Sequence, residues 1–331
     1  MSERWLVTGG AGFIGTNVVL RLLKEEIDVT VIDDLSRSGS ERNLKLLMEK
    51  GLQKFYNMSI SDIEDLNRII PELKSVSAIV HLAGQVSLMA SIKHPRRDFE
   101  INALGTLNLL EITRQYWPDA RFLFSSTNKV YGDLKKIAIR ELDLRYEPRE
   151  SVRSFGIDMP LDLHGGYGIS KGCADQYVID YSRQYGLDTV TFRQSAICGR
   201  FQHPMADQGW AAFLVQETKQ DRVVGLNGKG KQVRDLLDVE DLVELIIRAV
   251  RQKVINNRVY NIGGGPDRAL SLLELFQNLR ERGYDPKYEF GQLRPSDQLY
   301  YVSDIQTAIS DFGWTPKYNL DEIIDRLIDS C

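Results

Sequence analysis

Cysteine is scarce in this 331-residue chain, which has only Cys173, Cys198 and Cys331. An odd, sparse set excludes a disulfide framework and fits a reducing compartment. Long apolar runs are missing too. No stretch approaches the roughly 20 apolar residues of a spanning helix, and the first apolar run stops at Thr8-Gly9-Gly10, unlike a secretory leader. A cytoplasmic protein without membrane association is therefore expected. Charge of one sign is also lacking. The chain has 42 Lys and Arg against 46 Asp and Glu, a net charge of −4, with no basic block. Nucleic acid is thus not an expected partner. No internal repeat, low-complexity tract or metal site stands out.

What is present is ordinary for a globular protein: 43% hydrophobic and 27% charged residues. The length allows a full core without staples and suggests two domains or one with a large elaboration. Short apolar runs at residues 5–7, 29–32, 78–82, 121–124, 189–192 and 259–262 read as strands. Helical patterns separate them. Residues 13–24 are one such pattern, with Phe13, Val18, Leu22 and Leu23 expected to face inward. Alternation of this kind predicts an α/β fold, a doubly wound parallel sheet of Rossmann type. The stretches 199–231 and beyond Gly265 break the alternation and predict a smaller mixed α/β lobe. The expected division is 1–195 with 232–265 for the sheet domain, and 196–231 with 266–331 for the lobe. Residues 132–166 are irregular and polar, a long excursion of a kind that is often functional.

Gly9, Gly12 and Gly15 follow the first strand and, with Phe13 and Ile14, open the first helix. Their G-x-x-G-x-x-G spacing is wider than G-x-G-x-x-G, but the physics is shared. Glycine permits a tight turn and lets a pyrophosphate approach the helix N-terminus. The other reading is a plain strand–helix loop; its position between strand and helix favours a dinucleotide site. Asp33 ends the second strand, where a carboxylate would bind the adenosine ribose and repel a 2′-phosphate, so NAD is expected over NADP. Arg37 and Arg42 lie nearby and could accept a phosphate. Asp62 and Ile63 follow a further short strand and are candidates to flank the adenine. Leu82, Ala83 and Gly84 end a buried strand, where small residues allow close approach of the cofactor; tight packing is the alternative.

Tyr167-Gly168-Ile169-Ser170-Lys171 is the most informative pentapeptide. Tyr167 and Lys171, at i and i+4, share a helix face. A lysine cation favours the phenolate of a neighbouring tyrosine. Bringing Tyr167 to neutrality takes about three pK units, roughly 4 kcal/mol. With that shift it would serve as the base for a substrate hydroxyl. A surface Tyr–Lys pair is the alternative. Thr127, after the strand at 121–124, adds a hydroxyl where the sheet opens. The glycine turn, the hydroxyl and Y-x-x-x-K occur in order, a combination hard to obtain by chance. Ala174, Tyr177, Val178 and Tyr181 form an apolar stripe on the same helix, suited to the core or to a helix–helix dimer.

These residues resemble the nucleotide-sugar epimerases and dehydratases of the extended short-chain dehydrogenase/reductase type. The similar stretches include His81-Leu82-Ala83-Gly84-Gln85-Val86, Glu100-Ile101-Asn102, Gly105-Thr106-Leu107-Asn108 and Ser125-Ser126-Thr127-Asn128-Lys129-Val130-Tyr131-Gly132-Asp133. Asp207-Gln208-Gly209-Trp210, Gly228–Asp235 and Ser296-Asp297-Gln298 are similar as well, so nearly the whole chain is covered. The resemblance implies Thr127, Tyr167 and Lys171 as the catalytic set, with Tyr167, Lys171 and Asn102 beside bound NAD. It implies Gln85, Ser126, Asn128, Ser195, Gln208, Arg234, Arg294 and Asp297 toward a nucleotide-sugar substrate. The fixed guanidinium forks of Arg234 and Arg294 suit a diphosphate; ion pairs with Asp235 or Asp297 are the alternative. The implied reaction is transient oxidation of the sugar to a ketone, with hydride returned to the other face and NAD regenerated. The branch that inverts carbon 2 of CDP-sugars matches best, with UDP-sugar 4-epimerases and 4,6-dehydratases as alternatives. Those dehydratases carry an acid just after the threonine, where Asn128 and Lys129 stand here. His164-Gly165-Gly166, Cys198 and residues 201–206 depart from the family pattern and leave the substrate open. Cys198 reads as a small buried residue rather than a nucleophile. A homodimer or homotetramer is implied.

Overall fold

A computed structural model describes residues 3–252, 258–294 and 297–331. Residues 253–257 and Ser296, on which part of these expectations falls, lie outside the described residues. In the first half, strands β1 (Arg4–Thr8), β2 (Asp28–Asp33), β3 (Lys54–Asn57), β4 (Ala78–His81) and β5 (Arg121–Thr127) alternate with helices. The helices are α1 (Phe13–Lys24), α2 (Ser40–Glu49), α3 (Ile63–Leu73), α4 (Leu88–Lys93), α5 (Pro95–Phe99) and α6 (Gly105–Tyr116). One π-helical turn, Glu100–Leu104, joins α5 to α6. Helix α7 (Gly166–Tyr185) carries the Y-x-x-x-K pair.

Strands Thr189–Gln194 and Arg258–Ile262 complete a seven-stranded sheet in the order Arg258–Ile262, Thr189–Gln194, β5, β4, β1, β2, β3. The pairs β1–β2, β1–β4, β2–β3 and β4–β5 run parallel. The order reverses between β1 and β4, the topological switch point of a doubly wound sheet. The Rossmann-type expectation and its strand positions hold.

On α1 the buried stripe is Gly15, Val18, Val19 and Leu22, the i, i+3, i+4, i+7 set of one helix face. Phe13 and Leu23, expected inside, are only half-buried: Leu23 lies about 100° off that stripe and Phe13 on roughly the opposite side of the helix.

The chain divides into two compact units. The first comprises 1–127, 165–193 and 243–259; the second comprises 128–164, 194–242 and 260–331. The division differs from the expected one in two main places. Residues 128–164 group with the second unit, and so does strand Val233–Asp238, which pairs with Ala196–Cys198, Ala269–Ser271 and Tyr300–Tyr301. Its hydrogen bonds go to those strands and not to the large sheet, which sequence alternation alone could not decide. The first unit's core packs Leu6, Ile79, Leu110, Phe122, Phe124 and Val178; the second packs Leu214, Val215, Leu236, Phe276 and Ile324.

Candidate active site

The glycine turn is built by close approaches. Gly9 has φ +69°, and a Cβ on it would stand 2.6 Å from the Ala83 nitrogen. A Cβ on Gly15 would lie 2.1 Å from the Gly9 oxygen. Both glycines are thus required by backbone packing, which also accounts for Ala83. Gly12 is the N-cap of α1, with no side-chain cap and no acid in the first turn. The helix end is left with its amides and partial positive charge for an anion. Phe13 and Ile14 form that first turn.

Asp33 is buried and ties the turn to the sheet: its oxygens accept from the Ala11 N–H at 3.0 Å and the Leu35 N–H at 2.9 Å. Burial raises its carboxyl above the usual range, against these bonds. The Gly12 N–H is a third donor to it; a carboxylate has about four acceptor positions, so capacity remains beyond the three in use. Asp62 caps α3 by accepting from the Glu64 and Asp65 amides, and Ile63 is exposed at the first turn. Leu82 continues from β4 with its N–H bonded to the Thr8 oxygen. A Cβ on Gly84 would meet Asn102 Oδ1 at 3.0 Å and Lys171 Nζ at 3.6 Å.

β5 overhangs its neighbour. Its register with β4 ends at His81↔Phe124, so Ser125, Ser126 and Thr127 run past β4, and the strand is longer than residues 121–124. Thr127 hydrogen-bonds the Tyr167 phenol, and the Lys171 ammonium donates to the Ser125 oxygen at 2.6 Å. The same ammonium lies 4.3 Å from the centre of the Phe124 ring. Thr127, Tyr167 and Lys171 are therefore gathered at the carboxyl end of β5. Gly166 brings α7 close to α4, since a Cβ there would stand 3.1 Å from the Ser91 oxygen. That approach accounts for Gly166, and Gly165 before it has φ +69°, a conformation that favours glycine.

The electrostatics differ from the expectation of a neutral-pH tyrosinate. Burial pushes the Tyr167 phenol up to about 12, with the Thr127 bond opposing and the Asp98 charge adding to the rise. Burial pushes Lys171 down to about 8, against the charges of Asp175 and Asp98. The ammonium is directed to Ser125 and Phe124, and its field does not offset the desolvation of the phenol. Tyr167 is protonated at neutral pH in this arrangement.

Several side chains expected at a substrate are engaged within their own unit. Ser126 Oγ donates to Asp175 at 2.7 Å, and Asp175 also forms a two-point pair with Arg193 at 2.8 and 3.0 Å. Ser126, Asp175 and Arg193 are all buried. Gln85 Nε2 donates to Asp98 at 2.6 Å, and its backbone exchanges bonds with the Asn102 amide. Asn102, in the π-helical turn, also donates to Ser170 Oγ at 3.0 Å. The sequence alone assigns no role to Asp98, Ser170, Asp175 or Arg193. No periodicity or motif flags a buried polar residue whose partners lie far away in the chain.

In the second unit, Asn128 Nδ2 donates to Gln298 at 3.1 Å, and Ser195 Oγ donates to Asp235 at 2.6 Å. Burial raises Asp235 to about 6. The Gln208 backbone pairs with Met205. Arg234 donates to Asp297 at 2.9 Å, and Lys129 Nζ lies 3.6 Å from the same carboxylate. Arg294 donates to the Ala206 oxygen at 2.7 Å. Arg234 thus forms the Asp297 pair that was its alternative, with the Asp235 charge also acting on it and with Lys129 and Arg294 as further cations nearby. Burial and the Arg234 charge push Lys129 down to about 8, and the Arg294 charge adds to this. Cys198 is buried, with its thiol pushed well up by desolvation. Among the described residues no helix is long and apolar enough to cross a membrane.

The chain is 39% identical to CDP-paratose 2-epimerase of Salmonella typhi over 98% of both chains. It superposes on the UDP-glucose 4-epimerase of Thermotoga maritima, solved with UDP-glucose, with TM-score 0.82 and 30% identity over 99% of this chain and 98% of that one. The Thermus thermophilus UDP-glucose 4-epimerase, solved with NAD, gives TM-score 0.83 and 28% identity over 99% and 98%. Residues 5–263 match the NAD dependent epimerase/dehydratase family; the chain belongs to that family, and its cofactor is NAD.

Proposed function

We propose that the protein epimerises a nucleotide-activated sugar, with a CDP-sugar inverted at carbon 2 as the reading best supported. The carrying observation is the gathering of Thr127, Tyr167 and Lys171 at the end of β5, in a chain 39% identical end to end to a CDP-paratose 2-epimerase. The first unit's residues fit NAD. The uncapped α1 terminus at Gly12 suits its pyrophosphate, Asp33 retains acceptor capacity for the adenosine ribose, and Asp62, Ile63 and Leu82–Gly84 are assigned to flank it. When bound, NAD supplies a reversible hydride acceptor.

The chain's own part is proton handling and positioning. Thr127 orients the sugar hydroxyl and the Tyr167 phenol. Tyr167 takes the hydroxyl proton as the carbon is oxidised and returns it on reduction. Lys171 supplies positive charge that favours the phenolate as it forms. A phenol pushed up to about 12 holds its proton at rest, so proton loss is coupled to the chemistry rather than preceding it. Arg234, Arg294 and Lys129 are assigned to the diphosphate, with Asp297 holding two of the three in place. Gln208 and the region of Asn128 and Ser195 complete the substrate side, the latter two through their backbone and neighbours.

Elimination chemistry is disfavoured by Asn128 and Lys129 in place of an acid. A UDP-sugar 4-epimerase is the second reading, favoured by the match to the UDP-glucose-bound Thermotoga structure. A thermal-shift panel of CDP, UDP, GDP and dTDP on the NAD-loaded protein decides between them. A nucleotide at about a hundred times its Kd adds roughly 2.7 kcal/mol. A CDP-selective rise supports the first reading, and a UDP-selective one replaces it with the second.

Exposed Tyr177 and Tyr185 on α7 and Tyr116 on α6 support a homo-oligomer through these helices, to be checked by light scattering on Tyr185→Glu. The reaction is placed in the cytoplasm, where NAD and nucleotide-activated sugars are both available.

A further inference from the structure

Beneath the turn of α7 that carries Tyr167 and Lys171 lies a buried carboxylate with no assigned role. Asp98, near the end of α5, is 1% exposed. Its partners are neutral donors from three separate elements. Gln85 Nε2, after β4, donates to Oδ1 at 2.6 Å. Asn102 Nδ2, in the π-helical turn, reaches the same oxygen at 3.4 Å, and Ser170 Oγ, on α7, donates to Oδ2. Ser170 stands between Tyr167 and Lys171 in the same helical turn. Neutral donors satisfy a carboxylate's lone pairs without cancelling its charge, so the field of Asp98 extends into the low-dielectric surroundings.

We propose that Asp98 is a positioning residue of the Tyr167–Lys171 pair: its carboxylate ties α7 to the β4 loop and the π-helical turn, and adds to the negative charge that favours the buried Lys171 ammonium. The proposal rests on the assignment of Tyr167 and Lys171 made above. The other groups facing the pair are few. Asp175, on α7, acts on Lys171 in the same direction and more strongly than Asp98, and it is also paired with Arg193. His81 on β4 is buried and held neutral, bonded to Thr8 at 2.7 Å and Thr106 at 2.9 Å. β5 offers the Thr127 hydroxyl. Lys93, Arg96 and Arg97 on α4 and α5 are exposed, and Glu100 is half-buried with its carboxylate on Arg96. Asp98 raises both Tyr167 and Lys171, so it holds the proton inventory of the pair toward the doubly protonated state.

Asp98→Asn separates charge from shape. The amide oxygen can keep the Gln85 and Asn102 donors, while its nitrogen donates to Ser170, whose hydroxyl can turn to the Tyr167 carbonyl 3.3 Å away. The test is a pH titration of lysine side-chain carbons by NMR on the full-length, NAD-loaded protein, with the Lys171 signal assigned by its loss in Lys171→Arg. Wild-type Lys171 should titrate near 8. Loss of a neighbouring charge moves a midpoint by about one unit or more, so Asp98→Asn should lower it to about 7. The protonated fraction at pH 7.5 would fall roughly three-fold. Lys129, whose midpoint is also about 8, serves as the internal control and should stay in place. Asp98→Glu, which keeps the charge, should hold the Lys171 midpoint. If Asp98→Asn does not accumulate folded, the smaller neutral Asp98→Ser is read the same way. A Lys171 midpoint that stays or rises in the neutral variant overturns the proposal, as does an equal fall of Lys129. No turnover is needed for this reading. Its failure therefore leaves the role of Tyr167 standing, whereas undiminished turnover in Tyr167→Phe removes that role and leaves the titration result intact.

Discussion

Lys171→Met should make the protein more stable at neutral pH while abolishing its chemistry. Lys171 is 4% exposed, and its ammonium has the Ser125 oxygen and the Phe124 ring as neighbours. Burial depresses it from 10.5 to about 8. A shift of that size corresponds to about 3 kcal/mol held against the folded state wherever the amine is charged in both states. Methionine has nearly the same reach and no charge. Its cost is the Ser125 oxygen left without a donor, about 1–2 kcal/mol. The net gain at pH 7 is thus about 1–2 kcal/mol, or a Tm rise of roughly 1–3 °C for a protein of this size. The pH dependence is the sharper part. A depressed lysine penalises the wild type fully below about 8, and the penalty fades as pH rises toward the unfolded value. By pH 9.5 about 2 kcal/mol of it is gone, so the variant's advantage should vanish or reverse. Lys129, depressed to about 8 as well, is common to both proteins and cancels in the difference. Urea melts of both proteins at pH 7 and 9.5 provide the assay. The reasoning is refuted if the variant is less stable at pH 7, or if the gap between the two proteins is the same at both pH values.

Tyr167→Phe should lower turnover by about 10²–10⁴-fold, the usual worth of a positioned acid–base group, while NAD remains bound on gel filtration. Gly15→Ala places a Cβ 2.1 Å from the Gly9 oxygen. Overpacking of this kind costs about 1–3 kcal/mol and should release NAD, as seen in the 260/280 nm absorbance ratio of the purified protein. Asp175→Ala leaves the buried Arg193 guanidinium without its two-point partner. A loss of about 3–5 kcal/mol is expected in urea melts, well beyond that of Ser126→Ala.

The sheet was readable because its strands are short apolar runs separated by helical periodicity, and residues 5–7, 29–32 and 78–82 needed no tertiary information. The glycine turn was readable too, although Gly9 and Gly15 prove to be demanded by the closeness of Ala83 and of the Gly9 oxygen itself. Thr127, Tyr167 and Lys171 announced themselves by order and spacing. What sequence could not supply was environment. Free-peptide pK values and one nearby ammonium pointed to a lowered Tyr167, whereas desolvation and Asp98 raise it. Ser126 looked like part of a substrate-facing Ser-Ser-Thr, but alternation along a strand turns its hydroxyl inward to Asp175. Asp98 is one acid among many in the sequence; only the fold brings Gln85, Asn102 and Ser170 to it.

The central claim is hydride removal and return at one sugar carbon, and the most direct measurement follows the hydrogen on that carbon. CDP-paratose carrying deuterium at carbon 2 is incubated with the NAD-loaded protein in ordinary water and followed by NMR. The account predicts conversion to the 2-epimer with deuterium retained at carbon 2, and loss of that conversion in Tyr167→Phe. Washout of the label into water, or no conversion by the intact protein, would contradict it.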